Sequence, residues 1–106
     1  MGLMDILFGK QLASEDKIKK LLEEDVVVID VRTPQEFKSG HVKRSKNIPL
    51  QELSSRTDEI KAFEKPVIFC CATGNRSGTA AKRMQAEGVE CVNGGGWERV
   101  SRIVNS

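Results

Sequence analysis

Apolar residues along this chain change period repeatedly, and each change marks an element. Ser14, a good N-cap residue, precedes Glu15 and Asp16, and Ile18, Leu21 and Leu22 then recur at helical spacing through Glu24. Val26-Val27-Val28-Ile29-Asp30-Val31 is almost continuously apolar and β-branched, as a strand buried on both faces reads. Thr33-Pro34 opens a short helix through Phe37, with Pro at its first position, and Gly40 closes it. Asn47 to Leu50 is a short extended piece that Pro49 stops. Thr57 to Glu64 reads as a helix with Ile60 and Phe63 inward, and Pro66 to Cys70 as a second strongly apolar strand. Ser77 to Glu87 is helical and closed by Gly88, Val89 to Val92 is a short strand, and Gly94-Gly95-Gly96 is a loop. Trp97 to Ile103 forms a last helix with Trp97, Val100 and Ile103 on one side.

Strands alternating with helices imply an α/β fold, a parallel sheet covered on both faces. Such sheets bind ligands at the carboxyl ends of their strands, and Cys71 is expected at one of those ends.

Composition narrows the function. At 106 residues, 39% hydrophobic and 30% charged, the chain reads as one globular domain over residues 10–106, behind a short apolar cap segment at 1–9. That segment carries Asp5, has no basic start and lacks a small-residue cleavage site, so a signal peptide is not expected; Ile6 stands where a myristoylation pattern needs Ser or Thr. A net charge of +2 without a Lys/Arg block argues against nucleic acid, and no apolar run spans a bilayer, so neither nucleic acid nor membrane is expected as a partner. Three cysteines, two of them adjacent, make no disulfide framework, which favours a reducing, cytoplasmic location. Cys70, Cys71, Cys91 and the lone His41 lack metal-ligand spacing, so no metal site is expected.

The chemistry concentrates in Cys71-Ala72-Thr73-Gly74-Asn75-Arg76-Ser77. A thiol where a buried strand ends and a helix begins meets backbone N–H groups that have no partners of their own. Those donors, with a nearby cation, lower a cysteine pKa from about 8.5 to about 4–7 and make a nucleophile. Cys70 belongs to the strand and reads as an inert hydrophobe. Arg76 falls in or just before the first helical turn, where the macrodipole disfavours a cation unless an anion sits nearby. Gly74 permits a tight loop, and Ser77 can cap the helix or donate to a bound sulfur.

A second block, Asp30-Val31-Arg32-Thr33-Pro34-Gln35-Glu36-Phe37-Lys38-Ser39-Gly40-His41-Val42, leads to Asn47-Ile48-Pro49. With the Cys71 loop and Gly94-Gly95-Gly96-Trp97 in the same order, the chain resembles a single-domain rhodanese, a sulfurtransferase, over residues ~10 to 103. The resemblance implies a rhodanese-like, mostly parallel five-stranded sheet flanked by helices. It implies a Cys71 persulfide that carries a sulfane sulfur from thiosulfate or a persulfide donor to cyanide or a thiol, a protein thiol included, with no cofactor. Residues Ala72 to Ser77 would hold the substrate. The six-residue span from Cys71 to Arg76 is one residue shorter than in phosphatases of similar fold, which favours sulfur transfer over phosphate or arsenate chemistry.

Asp30, Arg32 and Glu36 read as a structural set. Asp30 ends a buried strand, and Arg32 and Glu36 are spaced to pair across a helical turn. His41 matches a Gly-His pair that implies packing and hydrogen bonding. Trp97 reads as a core anchor. The chain departs from the pattern at Ala72, where many relatives carry Arg, and at Lys43-Arg44-Ser45-Lys46, a basic turn that would charge the site entrance, dock an acidic protein partner or remain a solvated loop. The competing reading is a non-catalytic or sulfur-carrier module that binds a protein partner.

Overall fold

The computed structural model describes residues 11–106, so the expected cap at 1–9 lies outside the described residues. Helix α1 (Glu15–Glu23) starts where Ser14 accepts a hydrogen bond from the Lys17 amide, with Glu15 and Asp16 in its first turn. Strand β1 (Val27–Asp30) follows, then helix α2 (Pro34–Lys38), opened by a capping box between Thr33 and Glu36. Strand β2 (Lys46–Asn47) is one short rung. Pro49 has no N–H to continue it, and the chain enters 3₁₀ turns at Leu50–Glu52 and Ser54–Arg56 before helix α3 (Thr57–Ala62). Strand β3 (Val67–Cys71), helix α4 (Asn75–Ala86), strand β4 (Cys91–Gly96) and helix α5 (Trp97–Val104) complete the described chain.

The strands pair in the order β2-β1-β3-β4, and every pairing is parallel. Period-2 alternation sends Val27, Ile29, Val67, Phe69 and Cys71 toward one face, where they pack with Ile60, Ala80, Ala81 and Met84 of α3 and α4. Val28, Ile68 and Cys70 face the other way, against Ile18 and Leu21 of α1 and Val100 and Ile103 of α5. Burial on both sides explains the uninterrupted apolar runs.

Two expectations are corrected. Among the described residues the sheet has four strands, not five. Where a fifth would lie, Leu12 makes one isolated parallel bridge to Asn93, and the Ala13 N–H donates to the Asn93 carbonyl at 2.8 Å. Ser14 then caps α1 and turns the chain away, so no ladder forms along the described part of that edge. Nor are the three glycines a loop: β4 runs through them to Gly96. A Cβ on Gly94 would stand 2.7 Å from Ile68 Cγ2 and 2.8 Å from Val100 Cγ2, and one on Gly96 would stand 2.9 Å from the Ala72 carbonyl oxygen. The register shifts here, Phe69 facing Asn93 and Cys70 facing Gly95, so one extra residue bulges out of β4. Glycine is required at 94 and 96 by close approach and at 95 by a left-handed φ of 89°.

A buried ion pair fixes the far side of the site edge. Arg32 Nη2 lies 2.7 Å from Asp30 Oδ2, and the same nitrogen donates to the Gly40 carbonyl at 2.6 Å. The guanidinium stacks over Trp97 at 4.9 Å. Asn47 Nδ2 donates to the Asp30 and Arg32 carbonyls at 3.0 and 2.9 Å, tying β2 to the end of β1.

The packing at the bulge makes a direct prediction. Gly94→Ala places a methyl against Ile68 and Val100, and urea denaturation should show a loss of about 1–3 kcal/mol, the usual cost of overpacking a core. An unchanged midpoint would mean that β4 and α5 separate easily.

Candidate active site

Cys71 is the last residue of β3, and α4 begins four residues later. Gly74 makes the reversal with φ 105°, a left-handed conformation that side chains resist. It occupies the N-cap position but offers no capping side chain. The Cys71 sulfur supplies the missing acceptor: it receives the Ser77 amide at 3.3 Å and the Gly74 amide at 3.1 Å. Ser77 Oγ lies 3.3 Å from the same sulfur. Helix α4 thus starts two residues earlier than the sequence pattern predicts and encloses Arg76 in its first turn.

Electrostatics separates the three thiols, all of them free. Burial pushes the Cys71 thiol up, but the Ser77 hydroxyl and the amides of Ser77, Gly74 and Thr73 outweigh it, and its pKa falls below the ordinary value. Burial drives Cys70 far upward and pushes Cys91 up to about 12. The expected division between Cys71 and Cys70 follows from the strand: their side chains enter opposite faces of the sheet.

The sulfur is also deep. Cys71 is 1% exposed, beneath a loop in which Ala72, Thr73 and Asn75 are exposed. The amide cradle is present, and the thiol it holds is buried.

Glu36 changes role. Its expected partner Arg32 is bound to Asp30, and Glu36 reaches 40 residues along the chain to Arg76 instead, with Nη1–Oε1 at 2.8 Å and Nη2–Oε2 at 3.0 Å. Glu36 also accepts the Thr33 amide at 3.0 Å, so one carboxylate caps α2 and latches the Cys71 loop. Arg76, expected to face an incoming anion, is a bidentate partner of this carboxylate. The Arg76 guanidinium and the Thr33 amide hold Glu36 down from an ordinary 4.5 to about 2.

The basic turn is displaced from the site. Strand β2 runs parallel to β1 with Lys46 beside Ile29, so the residues before it lie toward the opposite end of the sheet from Cys71. There Lys43 and Arg44 line a surface cleft with Leu22, Val26 and Val104. Neither therefore stands at the entrance to Cys71. His41 is exposed, stacks on Phe37 with ring centroids 3.7 Å apart, and places Nδ1 2.7 Å from the Phe37 carbonyl, in keeping with a packing role.

Asn93 was missed by sequence reasoning. It is 2% exposed, and its side chain bonds Ser77, Gly74 and Gly95. The available signal was alternation: Asn93 shares a parity with core-facing Cys91, and a polar residue there needs a polar partner.

Glu36 carries a pH prediction. Its folded pKa lies below its unfolded one, so its contribution is full above about pH 4.5 and lost as pH falls toward about 2. The urea midpoint of wild type should exceed that of Glu36→Gln at pH 7, and the gap should close across that window. Both side chains of the pair are 36% exposed, so added salt should also narrow the gap at pH 7. A gap independent of pH would remove the latch.

The rhodanese-like domain family model matches residues 14–102. The uncharacterized protein YqhL of Bacillus subtilis is 44% identical over 61 residues, 58% of this chain and 48% of its own length, so the chain spans about half of that relative. Thiosulfate sulfurtransferase GlpE of Pseudoalteromonas translucida is 31% identical over 83 residues, 78% of each protein. Among solved structures, reduced CoADR-RHD of Bacillus anthracis superposes with a TM-score of 0.70 at 31% identity, over 92% of this chain and 17% of that one. A cysteine capping the helix after a central parallel strand, within a match of this extent, identifies the chain as a member of the rhodanese-like domain family.

Proposed function

We propose that the protein is a sulfurtransferase that moves a sulfane sulfur through a persulfide on Cys71, from thiosulfate or an organic persulfide to cyanide or a thiol. One observation carries the reading: the amides of Gly74 and Ser77 converge on a single strand-end sulfur, with the Ser77 hydroxyl beside it, and its ionised form is favoured. Family membership and the similarity to a thiosulfate sulfurtransferase support it.

The chemistry balances without a cofactor. The Cys71 thiolate attacks the outer sulfur of thiosulfate; a new S–S bond forms, the old one breaks, and its electron pair leaves with sulfite. The acceptor then attacks the outer sulfur of the persulfide, and the electron pair of the breaking S–S bond restores the Cys71 thiolate. The terminal sulfur anion rests among the amides of Ala72 to Arg76 at the start of α4, where the helix dipole favours negative charge. Arg76 contributes chiefly by holding that loop, because Glu36 shares its charge. A guanidinium committed in this way is poorly placed to grip phosphate oxygens, which weighs against a phosphatase.

The depth of Cys71 and the charge sharing of Arg76 favour a second reading, a sulfur-carrier module loaded by a protein donor. Intact mass measurement after incubation with thiosulfate, and separately with glutathione persulfide, tests both. Wild type should gain one sulfur atom and Cys71→Ala none. Loading from the persulfide alone favours the carrier; no adduct from either donor, or an equal adduct on Cys71→Ala, removes the sulfur-transfer reading.

A further inference from the structure

The hydroxyl of Ser77 has one proton and two neighbours that want it. Cys71 Sγ lies 3.3 Å away and Asn93 Oδ1 2.7 Å away. The surrounding backbone decides the contest. The Gly95 N–H can only donate, and it points at Asn93 Oδ1 from 3.0 Å. The Gly74 carbonyl can only accept, and it takes the other end of the amide, Nδ2, at 3.0 Å. Asn93 therefore cannot flip. An amide oxygen accepts only, so Ser77 must donate its proton to Asn93 and turn a lone pair toward sulfur. A lone pair is complementary to S–H and opposed to S⁻.

We propose that Asn93 is a positioning residue that restrains ionisation of the nucleophile by holding the Ser77 hydroxyl as an acceptor of the Cys71 thiol proton. Release works by rotation. As the thiol proton departs to solvent, the Ser77 hydroxyl turns and donates to the new thiolate. Asn93 Oδ1 keeps the Gly95 amide and the Gly74 carbonyl keeps the Gly78 amide, so neither group is orphaned. The two backbone donors on sulfur, Gly74 and Ser77, serve both states. This rests on Cys71 being the reacting sulfur. The other ionisable groups nearest it on the elements packed around it are Cys70 of β3, Cys91 of β4, the Asp30–Arg32 pair at the end of β1, Glu36 of α2 with Arg76 of α4, and Arg99 of α5, bound to the Gly94 carbonyl. All are common to the variants below.

The test is a pH titration of thiolate ultraviolet absorbance, each protein read against the same protein carrying Cys71→Ala. Freed of Asn93, Ser77 can donate fully, so Asn93→Ala should lower the Cys71 midpoint by about one pH unit, a tenfold gain in thiolate below the midpoint. With Ser77→Ala in place, Asn93→Ala should leave the midpoint unmoved. Asn93→Asp, a second variant that keeps an acceptor oxygen, should raise the midpoint, and by more when Ser77 is present than in the Ser77→Ala background. Equal shifts in both backgrounds, or no downward shift for Asn93→Ala, overturn the proposal. Sulfur loading keeps the two readings apart: a Cys71 that titrates as described but accepts no sulfur removes the transfer reaction and leaves the role of Asn93 intact.

Discussion

A helix beginning at a residue without a side chain leaves its first amides short of partners. In this protein the Cys71 sulfur is the partner, and much of the site follows from that substitution. The sulfur must lie at the end of β3, one tight reversal before α4. Gly74 must take the left-handed conformation that brings its own amide round to the sulfur. The donors that satisfy the helix are the same ones that favour a thiolate, so a structural need and a chemical one share two hydrogen bonds.

Two side chains from distant segments hold this reversal in place. Glu36 grips Arg76 from the α2 side, and Asn93 grips the Gly74 carbonyl and Ser77 from the β4 side. Their electrostatic consequences differ. Glu36 neutralises much of the cation in the loop, while Asn93 is uncharged and acts through the direction of one proton. The site is therefore low in net charge despite its arginine, and the absence of Arg at position 72 deepens this. Such a pocket stabilises one sulfur anion well by dipoles and attracts a free dianion only modestly.

The sequence made the frame legible because burial on both faces leaves a distinct mark: Val27 to Asp30 and Val67 to Cys71 are strands for the reason their composition indicates. Cys71 was legible for a local reason, its place between an apolar strand and a glycine turn. What escaped was set by tertiary approach. Glycine at 94 to 96 reads as a loop in linear order, yet Ile68, Val100 and the Ala72 carbonyl leave no room for a larger residue at 94 or 96, and Gly95 holds φ 89°. Arg32 and Glu36 satisfied the spacing of an i, i+4 pair, but Asp30 lay closer to Arg32, and Arg76 offered Glu36 a bidentate fit from 40 residues away. The basic turn at 43–46 was misplaced because linear order does not say which end of a strand a loop occupies.

Burial and reactivity pull on Cys71 in opposite directions. Water around the sulfur would stabilise a thiolate without help; a sulfur 1% exposed must obtain that stabilisation from fixed donors. Fixed donors need no reorganisation when charge appears, which is the advantage of a dry site. Its disadvantage is reach, which the proposed persulfide would partly remove: a second sulfur about 2 Å beyond the first, directed at the exposed rim of Ala72, Thr73 and Asn75, would lie that much nearer solvent. In a two-step transfer, the loaded state would then be more accessible than the empty one. The burden of access would fall on the donor step, and the loop that must yield for it is held by Glu36 on one side and Asn93 on the other.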